Sequence, residues 1–176
     1  MTAHVETADE TTRSRLTYRA IAGYAEKIAE RNGVVAENGH VDVRALLQQL
    51  GGEIQIDNGQ ESLTIRDVHD FTVHIPRHTS KLRDRFTIAH ELGHYFLHFR
   101  APDDRRRGPV IKRANRTGSN VAETQANVFA SNLLMPAEQF RAAFEDADGD
   151  MREVAKIFEV SVPAAKVRAS YLGLLE

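Results

Sequence analysis

The sequence predicts an α+β domain, mostly helical, with a small three-stranded antiparallel sheet. Three observations carry the prediction. Apolar residues recur at the helical period over most of the chain. One block, residues 53–75, switches to alternation of apolar and polar side chains. The length, 176 residues with 41% apolar, suits one domain, or one domain with a small appendage.

Residues 1–16 are polar and rich in Thr, Glu and Arg, and read as an unstructured tail. They lack the apolar core of a secretory signal. Tyr18 to Arg31 is an amphipathic helix with Ile21, Ala25 and Ile28 on one side, stopped at Asn32-Gly33. Asp42 suits the cap of a second helix running to Leu50, which Gly51-Gly52 ends. Glu53–Ile56, Ser62–Ile65 and Phe71–Ile75 then alternate as three strands, with a first turn at Asp57-Asn58-Gly59 and a stop at Pro76. A helix runs from Lys81 to about Arg100. Residues 101–119 are irregular. A helix follows from about Asn120 to Leu134, and Pro136 suits the first turn of another. Asp148-Gly149-Asp150 breaks the chain. Met151–Phe158 and Pro163–Tyr171 form a helix pair around Val160-Ser161. The domain reading is 17–145 for the principal unit and 146–176 for a helix pair packed on it.

Composition removes several functions. There is no cysteine, so disulfides and thiolate metal sites are excluded, and any transition metal must take histidine and carboxylate ligands. The net charge of -2 gives no general pull toward nucleic acid or anionic membrane. No apolar run approaches the roughly 20 residues of a membrane span, and the expected location is the cytoplasm.

The helix from Lys81 carries His90-Glu91-Leu92-Gly93-His94, of the form H-E-x-x-H. Four residues along an α-helix give about 40° of rotation and about 6 Å of rise, so both imidazoles lean toward one point. Two such nitrogens can hold one metal ion. Glu91 sits one position round, where it can take a proton from a bound water without being a ligand. Ile88, Ala89, Leu92, Tyr95, Phe96 and Phe99 occupy one arc of the helix, and His90, Glu91, His94 and His98 the opposite one. A solvent face would use Lys, Glu and Arg instead. Gly93, costly mid-helix by up to about 1 kcal/mol, implies the close approach of another element.

A catalytic zinc needs a third protein ligand and one open position. Glu123 is the candidate, sharing a helix face with Ala126, Asn127 and Ala130. A second reading stands beside it: Asn120-Val121-Ala122-Glu123 also matches a capping box.

Residues 85–135 resemble the ImmA/IrrE family of metallopeptidases. The matching pieces are Arg85-Phe86-Thr87-Ile88-Ala89-His90-Glu91-Leu92-Gly93-His94, Tyr95-Phe96-Leu97-His98, Glu123-Thr124-Gln125-Ala126-Asn127-Val128-Phe129-Ala130, and Leu133-Leu134-Met135-Pro136. The resemblance implies a zincin-like fold with the sheet beside the active-site helix. It implies His90, His94 and Glu123 as metal ligands and Glu91 as the general base. Zinc is the implied ion, and histidine and carboxylate ligands also serve Mn2+. The implied substrate is a helix-turn-helix repressor protein, cut to release stress-response or mobile-element genes. The segment Phe71–Ile75 resembles the edge strand that pairs with substrate in zincins, and reads equally as a plain core strand.

Other signals stay open between two readings. His98 suits substrate or oxyanion contact, or support of the ligands. His69, His74 and His78 lack ligand spacing. Residues 100–116 hold seven basic side chains against two acidic ones and suit either a partner patch or a solvated loop. The C-terminal pair has a helix-turn-helix cadence, but Lys166 and Arg168 alone are thin for direct DNA binding. The alternative functions are a non-catalytic regulatory module, or a toxin–antitoxin component that acts by binding protein or DNA.

Overall fold

The computed structural model describes residues 13–100 and 121–175, with the backbone alone of 110–112. Helix α1 spans Tyr18–Arg31, capped by the Thr17 hydroxyl, and buries Ile21, Ala25, Ile28 and Ala29. Helix α2 spans Val43–Gln49. The Asp42 carboxylate caps it by accepting from the amides of Arg44 and Ala45 at 3.1 and 2.9 Å. Gly51 ends it with a φ of 84°, and a Cβ there would lie 2.2 Å from the His69 carbonyl oxygen. Only glycine fits that position.

The strands are β1 (Gly52–Asp57), β2 (Ser62–Asp67), β3 (Asp70–Pro76) and β4 (Val110–Lys112). Their order is β1-β3-β2-β4. β2 and β3 form an antiparallel hairpin, β4 joins β2 antiparallel, and β1 lies parallel to β3. The expected three-stranded antiparallel sheet is therefore a mixed one. The Asp57–Gly59 turn does reverse the chain, with Asp57 accepting from the Gly59 amide at 2.7 Å. It opens β1 from β2 by one strand width, and β3 fills the gap. Turn chemistry is local, whereas the choice of pairing partner is not. β3 is consequently interior. Phe71, Thr72, Val73 and Ile75 are all buried, and both sides of its backbone are paired. The edge-strand reading of Phe71–Ile75 is corrected to that of a core strand.

Helix α3 spans Lys81–His94 with Ser80 as its cap. The helix expected to run on to Arg100 changes at His94 into a π-helical turn, Tyr95–Phe99, closed by the Arg100 amide on the Tyr95 carbonyl at 2.9 Å. Such turns recur at functional sites. Helices α4 (Val121–Leu134), α5 (Ala137–Asp146), α6 (Met151–Ile157) and α7 (Val162–Tyr171) complete the chain. Pro136 is the N-cap of α5 rather than its first residue.

One apolar cluster joins all these layers. Phe71 stacks on Tyr95 at 4.3 Å, Phe96 on Phe129 at 5.7 Å and Phe140 on Phe158 at 5.4 Å. Arg168 on α7 is 2% exposed, donates to the Met135 carbonyl at 3.0 Å and lies 3.6 Å from Glu26. It holds α7 against the α4–α5 junction and α1, and is withdrawn from any nucleic acid. Among the described residues, no helix is long and apolar enough to cross a membrane.

Candidate metal centre

Helix α3 is buried on both faces. Its apolar arc meets the sheet and α2, and its polar arc is covered by α4. Gly93 makes that cover possible. A Cβ at Gly93 would lie 3.0 Å from Ala126 Cα, 3.1 Å from the Ala126 oxygen and 3.2 Å from Phe129 Cβ. Glu61 ties the other end of the helix to the start of β2. It accepts from Arg83 Nε at 2.8 Å and from the Thr87 hydroxyl at 2.9 Å.

The close approach of α4 brings three side chains to one point. His90 Nε2 and His94 Nε2 are 3.1 Å apart. Glu123 Oε2 lies 3.2 Å from His90 Nε2, and Glu123 Oε1 lies 3.1 Å from His94 Nε2. The Glu123 side chain is 13% exposed and faces the imidazoles. The Asn120 end of the proposed capping box lies outside the described residues. The Nδ1 atoms of the two histidines are held from behind. His90 Nδ1 meets Asn127 Oδ1 at 2.9 Å, and His94 Nδ1 meets His98 Nδ1 at 3.0 Å.

These distances test whether a metal fits. Tetrahedral coordination with bonds of about 2.0–2.1 Å requires ligand–ligand edges of about 3.3 Å. The three edges found are close to that. Asn127 Oδ1 accepts from His90 Nδ1, which leaves the Nε2 lone pair of His90 pointing at His94. Such a constellation calls for positive charge at its centre. The titration behaviour agrees. Burial opposes charging of His90, but its hydrogen bond to Glu123 and the charges of Glu91 and Glu123 outweigh burial and raise its pKa. Burial also works against ionised Glu123, yet the two histidines hold its carboxyl far below the usual carboxylate range. His90, His94 and Glu123 could hold one cation, and they are the one such group of three among the described residues.

Glu91 stands apart from the ligands. It is 1% exposed, and its Oε2 is buried without a hydrogen-bond partner. Burial raises its pKa; His94 and His90 oppose this, while Glu123 and Glu61 add to it. A buried carboxylate oxygen with no donor is suited to a proton or a water that arrives with the reaction.

His69 and His74 have structural partners. His74 lies between Thr64 Oγ1 at 2.9 Å and Asp57 Oδ2 at 3.2 Å, and His69 Nδ1 is 3.4 Å from the Leu50 carbonyl oxygen. His98 supports His94. Arg100 lies over the Tyr95 and Phe96 rings at 5.8 and 5.9 Å, while most of the basic stretch 100–116 lies outside the described residues. Three contributors were not assigned from sequence. Asn127 was legible in principle, because it follows Glu123 by four residues on the same helical face. Glu61 and Gln125 carry no local signal.

The fold and the side chains of His90, His94 and Glu123 together form a candidate metal site of the H-E-x-x-H type, with the carboxylate coming from a second helix. The chain belongs to the peptidase family described as the IrrE N-terminal-like domain, whose sequence profile matches residues 53–170. It is 27% identical over 128 residues to the metallopeptidase ImmA of Bacillus subtilis (strain 168), spanning 72% of this chain and 67% of that protein. A solved Mycobacterium tuberculosis transcriptional regulator shares the fold. Its TM-score is 0.59 and its identity 18%, and the match covers 85% of this chain and 46% of the regulator. The chain thus spans about half the length of that protein.

Proposed function

We propose that this chain is a cytoplasmic zinc-dependent endopeptidase that cuts a regulatory protein, a helix-turn-helix repressor, and so releases stress-response or mobile-element genes. The observation that carries the reading is the convergence of His90, His94 and Glu123 at 3.1–3.2 Å beside a buried, unpartnered Glu91 oxygen. Membership of a peptidase family supports it. The identity of the substrate rests on the family resemblance.

Zinc, when bound, supplies Lewis acidity to a water and to the scissile carbonyl. His90 and His94 present their Nε2 lone pairs, and Glu123 adds the negative charge that binds a divalent ion. Asn127 and His98 keep the two imidazoles in the required orientation. Glu91 takes the proton of the attacking water and returns it to the departing amine. Its raised pKa suits it to hold that proton between the two steps.

If the gene beside this one encodes a helix-turn-helix protein, the test is incubation of the two proteins with zinc. A single cut is expected. Glu91→Gln is expected to bind zinc as the parent does and to cut slower by about 10²–10⁴-fold. An unchanged rate in Glu91→Gln removes hydrolysis by this centre from consideration.

A further inference from the structure

The hydrogen bond from His94 to His98 does not end there but continues away from the centre. His94 Nδ1 meets His98 Nδ1 at 3.0 Å, and His98 Nε2 meets Gln125 Oε1 at 3.1 Å. Gln125 in turn exchanges two bonds with the backbone of Ser14. The Ser14 amide donates to Gln125 Oε1 at 2.9 Å, and Gln125 Nε2 donates to the Ser14 carbonyl at 2.8 Å. His98 and Gln125 are 6% and 2% exposed. Ser14 lies 111 positions from Gln125 in sequence.

The direction of every bond follows from Ser14. A backbone N–H can only donate and a backbone C=O can only accept, so together they set the Gln125 amide one way round. Its oxygen then faces His98 Nε2, which must carry a hydrogen. A neutral His98 has one ring hydrogen, so its Nδ1 is bare and accepts from His94 Nδ1. That places the hydrogen of a neutral His94 on Nδ1 and leaves Nε2 as a lone pair. Nε2 is the atom that points at His90 and Glu123. Starting from the other end, a metal at Nε2 demands the same hydrogen on Nδ1. Both ends of the relay require one set of tautomers.

We infer that the N-terminal segment around Ser14 is part of the metal centre: its backbone orients the ligand His94 through the positioning residues Gln125 and His98. This rests on the metal reading above. It adds a coupling between two sites, docking of Ser14 on α4 and binding of a cation between α3 and α4. Coupling of this kind is reciprocal, so a bound metal holds the segment as firmly as the segment favours the metal.

The experiment measures zinc affinity by chelator competition and exchange of the Ser14 amide hydrogen, on the full chain. Two variants and one control serve. Gln125→Leu keeps the side-chain bulk and removes both ends of the bridge. Ser14→Pro removes the donating amide together with the hydroxyl that accepts from the Leu16 amide at 3.2 Å, and Ser14→Ala removes that hydroxyl alone as its control, in a segment that packs little and does not threaten the fold. Zinc is expected to slow Ser14 amide exchange in the parent and to have no effect on it in Gln125→Leu. Affinity should fall by about tenfold in Gln125→Leu, at the low end for direct support of a ligand, and by about threefold or more in Ser14→Pro. A purely structural Gln125 would change stability without making Ser14 exchange depend on zinc. Ser14→Pro with the parent's zinc affinity overturns the inference and leaves the metal centre standing. Failure of the parent itself to bind zinc overturns the metal reading and the inference with it.

Discussion

Gly93→Ala tests the contact that assembles the centre. The added methyl meets Ala126 Cα at 3.0 Å, the Ala126 oxygen at 3.1 Å and Phe129 Cβ at 3.2 Å. Two of the three are backbone atoms of α4, so no flexible side chain can swing aside. The helices must part by a few tenths of an ångström. Alanine gains about 1 kcal/mol of helix propensity over glycine, and overpacking costs about 1–3 kcal/mol. The metal-free protein should therefore lose at most about 2 kcal/mol. The metal site should suffer more. Glu123 and Asn127 ride on α4, one before and one after the point of contact, while both histidines ride on α3. Metal–ligand bonds of about 2.0–2.1 Å tolerate little spreading, and sites of this kind need their ligands placed within about 0.5 Å. Zinc affinity should fall by about tenfold or more, and the rise in melting temperature on adding zinc should shrink. Chelator competition and paired thermal melts with and without zinc measure both. A variant as stable as the parent that binds zinc equally well would refute the claim that the α3–α4 spacing sets the geometry.

Three further outcomes follow from single contacts. Asn127→Leu removes the acceptor behind His90 and should weaken zinc binding by about 10–100-fold, read by chelator competition, with little change in metal-free stability. Arg168→Ala should cost about 2–3 kcal/mol in urea unfolding, because a buried charged donor to Met135 is lost. A DNA-contacting arginine would instead leave stability unchanged. His40 is held below its ordinary pKa by burial and by the charge of Arg85, against the opposing pull of Glu159. Its native form is neutral, and the unfolded chain binds the proton more readily. Stability from this group is thus complete above pH 6.5 and falls as the pH drops toward the lower folded value. The parent should lose melting temperature over that window relative to His40→Gln.

Much of the helical part was legible because its signals are local. The 3.6-residue period, the cap at Asp42 and the stops at Asn32-Gly33 and Asp148-Gly149-Asp150 act within a few residues. α1 appears at its expected bounds, and the other helices within a few residues of theirs, except α3, which gives way to a π-helical turn at His94. The geometry of His90 and His94 is likewise local, since helical spacing alone makes them lean together. Glu123 was the intermediate case. Its own surroundings favoured a helix cap over a ligand, and resemblance to a family reversed that preference.

What the chain dictates unaided is therefore the period of each segment, its stops, and a helix that offers two imidazoles and a carboxylate on one side. Three-dimensional packing alone settled which strand lies between which others, and so made β3 an interior strand. It also settled the partners of Asn127, Glu61, Gln125 and Ser14. Propensities and caps act over one or two turns. Strand pairing and the contacts behind a metal ligand depend on which distant segments share a small buried volume, and no local pattern encodes that.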